Sequence, residues 1–212
     1  MNRCQLLLFV TLVRSAVFAA DTSAPQNPQV FVCAYKEAEV SDAILEKAEE
    51  QTANLFRRSL PMLLHTCSND LPRTQGRAAI SAAEFYIHVV PKAASLSDDA
   101  FGVAFLGSDG SGRYADVFFD SVRRLQADQR TASTAEILGY VMAHEIGHLL
   151  LGFHAHSSTG IMEARWSGSE LQSIAMGRLA FTPEQCRRLF RRAELMKHEH
   201  EVAATKAADF AR

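Results

Sequence analysis

The run HEIGHLLLGFHAH, from His144 to His156, constrains this chain more than any other stretch. Ser133-Thr134-Ala135-Glu136 has the form of a capping box, and the residues that follow are almost all apolar, so the spacing predicts a helix from that cap to Gly152. Histidines four apart share one helix face and can reach a single metal ion, while Glu145 stands beside them without being a ligand. Gly152 is suited to stop the helix, because a C-terminal glycine accepts the left-handed conformation. His154 and His156 follow within four residues, so a chain that reverses there can return another imidazole to the same ion. A catalytic zinc usually takes three protein ligands and keeps a fourth position for water. The expected ligands are therefore His144, His148 and one of the two later histidines. Glu145 is the expected general base, taking a proton from a water whose pKa the metal brings to about 7.

The rest of the chain bounds this reading. At 212 residues, with 48% hydrophobic and 22% charged residues, it has the size and composition of one folded unit with a substantial core. A net charge of -2 offers no electrostatic case for nucleic acid or an anionic membrane as partner. Arg187-Arg188 and Arg191-Arg192 fall among acidic neighbours and read as a solvated helix face. Residues 1–20 have a short positive start, an apolar stretch and small residues at Ala16 to Ala20, the pattern of a secretory signal peptide. That segment is too short for a membrane span, and no stable span is expected. The chain is thus expected to be secreted or periplasmic. An oxidising compartment would allow one disulfide among Cys33, Cys67 and Cys186, with Cys33 and Cys67 the candidate pair because both fall on predicted strands.

The apolar patterning predicts strands at Val30 to Tyr35, Met62 to Cys67, Phe85 to Val90, Phe101 to Leu106 and Tyr114 to Phe119. Ser41 caps a helix running to Arg58, and Ser68 to Arg77 reads as a loop. Ser121 to Arg130 fits helix or loop. A last helix begins at Thr182-Pro183-Glu184 and runs toward His198, with a fraying tail from Glu201. His65 and His88 lie in strand-like runs and read as structural, while His198 and His200 read as exposed.

The motif resembles that of the metzincin clan of zinc peptidases, H-E-x-x-H-x-x-G-x-x-H followed by a tight turn that contains methionine. By this resemblance His144 and His148 are the first two zinc ligands, Glu145 is the base, Gly152 makes the turn and Met162 is the turn methionine. Gly152 comes one residue later than the pattern asks. Either His154, which keeps the total spacing, or His156, which lengthens both intervals by one residue, completes the set. His156 is preferred, since a polar turn into the methionine follows it. The resemblance implies an α+β, zincin-like fold: a twisted, mostly parallel sheet with one antiparallel edge strand, an active-site helix and a small C-terminal helical subdomain. Residues 21–212 would form a single metallopeptidase domain, divided into 29–152 and 153–212. Phe101 to Leu106 is the candidate edge strand, where an extended peptide or protein substrate would add by backbone pairing, unless it is an ordinary core strand. Where some members carry a tyrosine just after the methionine turn, this chain has Glu163-Ala164-Arg165-Trp166, and Arg165 or Trp166 is a candidate for shaping the pocket. The resemblance implies one catalytic zinc and peptide-bond hydrolysis. Two other readings use the same residues: a non-catalytic, zinc-stabilised peptide-binding module, and a metal scavenger using His154, His156, His198 and His200.

Overall fold

A computed structural model describes residues 29–57, 59–60, 62–67, 82–92 and 100–210. The expected signal peptide and the expected loop from Ser68 to Arg77 lie outside the described residues. The elements in chain order are β1 (Gln29–Lys36), α1 (Asp42–Phe56), β2 (Met62–Thr66), β3 (Ala82–Val90), β4 (Gly102–Phe105), β5 (Tyr114–Phe118), α2 (Phe119–Gln129), α3 (Thr134–Leu151), α4 (Gly168–Ala175) and α5 (Pro183–Phe210).

The strands form one five-stranded sheet in the order β2-β1-β3-β5-β4. Every pair is parallel except β4 with β5, which is antiparallel and puts β4 at an edge. The fold is therefore α+β with a mostly parallel sheet. Alternation decides which face is covered, because successive side chains of a strand point to opposite sides. Val30, Val32 and Ala34 of β1, Phe85, Ile87 and Val89 of β3, and Ala115 and Val117 of β5 are all buried. They share a core with Leu45 and Ala48 of α1 and with the apolar residues of α3. On the alternate positions Tyr35, Tyr86 and Tyr114 stack in a row, with ring centroids 6.2 and 5.0 Å apart. Cys33 and Cys67 form a disulfide between β1 and the end of β2.

Several boundaries differ from the sequence reading. β3 begins at Ala82 rather than Phe85, because register with β1 (Gln29 opposite Ala82) extends a strand whose first residues carry little strand propensity. Phe119 opens α2 instead of closing β5, and the ambiguous segment after it is helix, ended by Arg130 at φ 51°. α4 was not anticipated, although Ser167 and Glu170 form a reciprocal capping box at its start. α5 continues to Phe210 where fraying was expected; the tail is alanine-rich and has no glycine or proline, which favours helix without tertiary support. Arg188 also departs from the solvated-face reading. It is half-buried, and its Nη2 donates to the Leu151 carbonyl at 3.1 Å, so a cation meets the C-terminal end of α3.

The buried core runs from Val30 to Ala193, so residues on both sides of Gly152 contribute to it. Phe56 at the end of α1 is fully buried and packs on Phe181, just before α5, with centroids 4.7 Å apart. Replacing Phe56 by Ala is expected to cost about 3–5 kcal/mol of unfolding free energy, measured by urea denaturation. A loss below about 1 kcal/mol would mean the contact does not join the two parts of the chain.

Candidate metal centre

Helix α3 is set at both ends. At its start the Ser133 hydroxyl accepts from the Glu136 amide at 3.2 Å, and the Glu136 carboxylate accepts from the Ser133 amide at 2.7 Å. At its end Gly152 adopts φ 72° and ψ −155°, a combination open in practice only to a residue without a Cβ. Between these ends α3 is apolar nearly all round and buried on almost every side, as a helix at the centre of a core must be.

The two histidines of α3 and one from the returning chain meet on one side of it. The Nε2 of His148 lies 3.1 Å from the Nε2 of His144 and 3.2 Å from the Nε2 of His156. Among the described residues this is the one group of His, Cys, Asp and Glu side chains able to share an ion. His154 is exposed at φ 57° and does not join it. Three imidazole nitrogens bound tetrahedrally at about 2.0–2.1 Å from one ion would stand about 3.3 Å apart, so the observed spacing suits zinc. The donor chemistry suits it as well. The Nδ1 of His144 donates to the Ile161 carbonyl at 2.7 Å, which leaves Nε2 as the lone-pair nitrogen facing its partners. Burial lowers the pKa of His144 to about 4; burial and the neighbouring imidazoles lower that of His148 to about 3. Both rings are thus neutral, the form that binds metal.

Glu145 is only 5% exposed. It lies against the edge strand: a Cβ added at Gly102 would stand 2.7 Å from the Glu145 Oε1 and 2.7 Å from the Asp116 carbonyl oxygen. Burial raises its pKa to about 8. A cavity of about 330 Å³ opens beside these groups, and its lining includes residues of β4, the three histidines, Glu145, Val141, Glu163 and Trp166.

The segment after His156 is tied down from several directions. The Ser157 amide donates to the Met162 carbonyl at 2.9 Å, and the Ile161 amide to the Ala180 carbonyl at 3.1 Å. The Gln185 side chain on α5 donates to the Ser157 hydroxyl at 2.8 Å. Met162 is fully buried under α3, where a Cβ at Gly147 would collide with its thioether.

His88 sits apart, with Nδ1 3.3 Å from the Glu37 carboxylate, and His198 is exposed on α5. The side chains of His65 and His200 lie outside the described residues. Of the two pocket candidates, Trp166 lines the cavity and Arg165 is exposed and does not. The sequence reading missed Gly102, the Ile161 carbonyl and the part played by Gly147. Gly147 did leave a trace, since a glycine inside a helix costs about 1 kcal/mol and calls for a packing reason. A backbone carbonyl leaves none.

No protein-family model matches the sequence, and no curated protein matches it. Solved structures share the fold, among them the two that follow. A zinc-dependent peptidase from Methanocorpusculum labreanum is 16% identical, with a TM-score of 0.50 over 74% of this chain and 99% of that one. The archaemetzincin of Methanopyrus kandleri is also 16% identical, with a TM-score of 0.50 over 80% of this chain and 98% of that one. At this identity the likeness is one of fold.

The shifted groups make the metal-free protein sensitive to pH in a defined way. His144 and His148 are depressed from 6.5, so the unfolded chain binds more protons below that value and stability rises with pH up to about 6.5. Glu145 is raised from 4.5 to about 8, so its contribution is full below 4.5 and is lost as pH rises to about 8. Two histidines outweigh one carboxyl up to about 6.5, and above it only the carboxyl still acts. Urea unfolding of metal-free protein should therefore show the site's contribution falling between about pH 6.5 and 8. Glu145→Gln should remove that fall, and an unchanged slope in the variant would contradict the assignment.

Proposed function

We propose that this chain is an exported, zinc-dependent endopeptidase of the metzincin type. The observation that carries the reading is the convergence of three imidazoles beside a buried carboxylate, on a cavity that an antiparallel edge strand also lines. His144, His148 and His156 are the proposed ligands of one zinc ion, and Glu145 the proposed base. When bound, zinc would supply Lewis acidity and positive charge, which would polarise a carbonyl, acidify a water and favour the ionised form of Glu145.

The protein groups divide the remaining work. β4 is hydrogen-bonded to β5 along one side, and an extended peptide adding to its other side would be held by backbone bonds, without a requirement for a chain end. That arrangement favours cleavage within a chain. Glu145, against Gly102 at the start of β4, takes the proton of the attacking water and passes it to the leaving amine. The Ile161 carbonyl orients His144. The tight turn in which the Glu163 amide donates to the Gly160 carbonyl at 3.1 Å contains Met162, which is held under α3, and it is the proposed equivalent of a methionine turn. The two structural neighbours are named as a zinc-dependent peptidase and an archaemetzincin, which supports the same reading. Residues 21–212 would act as one catalytic unit. Export is supported by the pattern of residues 1–20 and by the Cys33–Cys67 disulfide, a bond that persists in oxidising compartments.

Glu145→Ala should keep zinc, measured by elemental analysis, and lose roughly 100-fold or more of turnover on a mixed peptide library. Retained cleavage would remove Glu145 from its role, while zinc with peptide binding and no products in the unaltered protein would favour a non-catalytic module. His156→Ala should lose zinc and His154→Ala should keep it; the reverse result would exchange the third ligand.

A further inference from the structure

The proposed mechanism leaves one charged group of the cavity without a task. Glu163 lines the same cavity as the three histidines and is half-buried there. No hydrogen bond or ion pair engages its carboxylate among the described residues. Its backbone is held firmly: the amide donates to the Gly160 carbonyl at 3.1 Å, the residue bridges to Ser157 next to His156, and Met162 before it is locked under α3. Apart from the histidines and Glu145, the surrounding wall is apolar, with Phe101, Val103, Leu106, Val141 and Trp166, and among the described residues no lysine or arginine contributes to it. An unpartnered carboxylate on a held backbone, in an apolar wall, attracts a cationic group and repels an anionic one, more strongly than it would in open water.

We infer that Glu163 is a specificity-determining residue that selects substrates presenting a lysine or arginine side chain to this cavity. The inference rests on reading the cavity as a peptide-binding site. Glu163 lies outside the group of side chains able to share the ion, so it is free to meet substrate.

The protein contains a single tryptophan, and Trp166 stands in the cavity wall, so its fluorescence reports on occupancy. The test uses the full chain carrying Glu145→Ala, loaded with zinc, with fluorescence titrations checked by calorimetry. The probes are end-capped peptides on one neutral background, in which a single Lys, Leu or Glu is moved stepwise along the chain. At one position the Lys peptide should bind roughly tenfold tighter than the Leu peptide and the Glu peptide weaker than both, a difference that shrinks in high salt. Adding Glu163→Gln should abolish the preference, and Glu163→Lys should turn it toward the Glu peptide, with zinc content unchanged in each. Equal binding of Lys and Leu peptides at every position, a preference that survives Glu163→Gln, or no binding of any peptide would overturn the inference. Cleavage of the same peptides by the unaltered protein separates the two readings. A Lys preference in binding without cleavage removes the peptidase and leaves the role of Glu163, while cleavage without the preference does the opposite.

Discussion

The structure depends on holding a carboxylate and two imidazoles in a helix that is otherwise core. Polar groups taken from water cost free energy unless they find partners, and an ionisable group answers by favouring its neutral form. Glu145 and the two histidines of α3 show that response, with the acid pushed up to about 8 and the bases down to about 4 and 3. The neighbouring elements are arranged around this strained composition. β4 has a glycine where the carboxylate lies, and a carbonyl of the returning loop takes the His144 N–H. A divalent cation at the three nitrogens would offset the remaining cost, since it pairs with lone pairs that otherwise face one another.

The third imidazole comes from a segment with little secondary structure of its own, and its position is set from the C-terminal side. Gly152 turns the chain away from α3. Gln185 and Arg188, both on α5, then bind the Ser157 hydroxyl and the last carbonyl of α3 respectively. One helix thus braces the two ends of the reversal, and Phe181 before it packs on Phe56 of α1. The polar contacts fix direction, while the apolar ones supply most of the stabilisation, because a hydrogen bond gained in folding replaces one to water.

What could be read from the sequence follows from how local each signal is. The capping box at Ser133, the four-residue histidine spacing and the glycine stop are properties of one segment, and α3 appears with the expected limits. The strand runs were legible because burial of one sheet face imposes alternation, and the antiparallel edge position of β4 agrees with the order of elements that the metzincin resemblance implied. The choice between His154 and His156 could not be closed by spacing, since it depends on backbone angles in a turn; the observed φ of 57° at His154 carries that residue away from the cluster. The reach of Arg188 to α3 was invisible for a related reason. Its neighbours in sequence describe an exposed face, and only the packing of α5 shows that Arg188, like Arg192, is half-buried while Arg187 and Arg191 are exposed. α4 was overlooked although its own cap, Ser167 with Glu170, has the same form as the one that announced α3.

In the proposed peptidase, the contact between Glu145 and Gly102 would tie recognition to chemistry more tightly than either element does alone. A side chain at position 102 would separate the carboxylate from the strand and would also press on the Asp116 carbonyl of β5. Without one, the backbone that would pair with an extended chain and the group that would move a proton stand in direct contact. A peptide laid along β4 would therefore bring its backbone to the carboxylate by the act of pairing, and positioning of this kind lowers a barrier through entropy lost in binding rather than in reaction. Side chains of the bound peptide would then be sampled by the walls beyond, by the aromatic faces of Phe101 and Trp166 and by the carboxylate of Glu163. On the proposed reading, sequence-independent pairing and sequence-dependent selection would fall to different surfaces of one cavity, so each could change without dismantling the other.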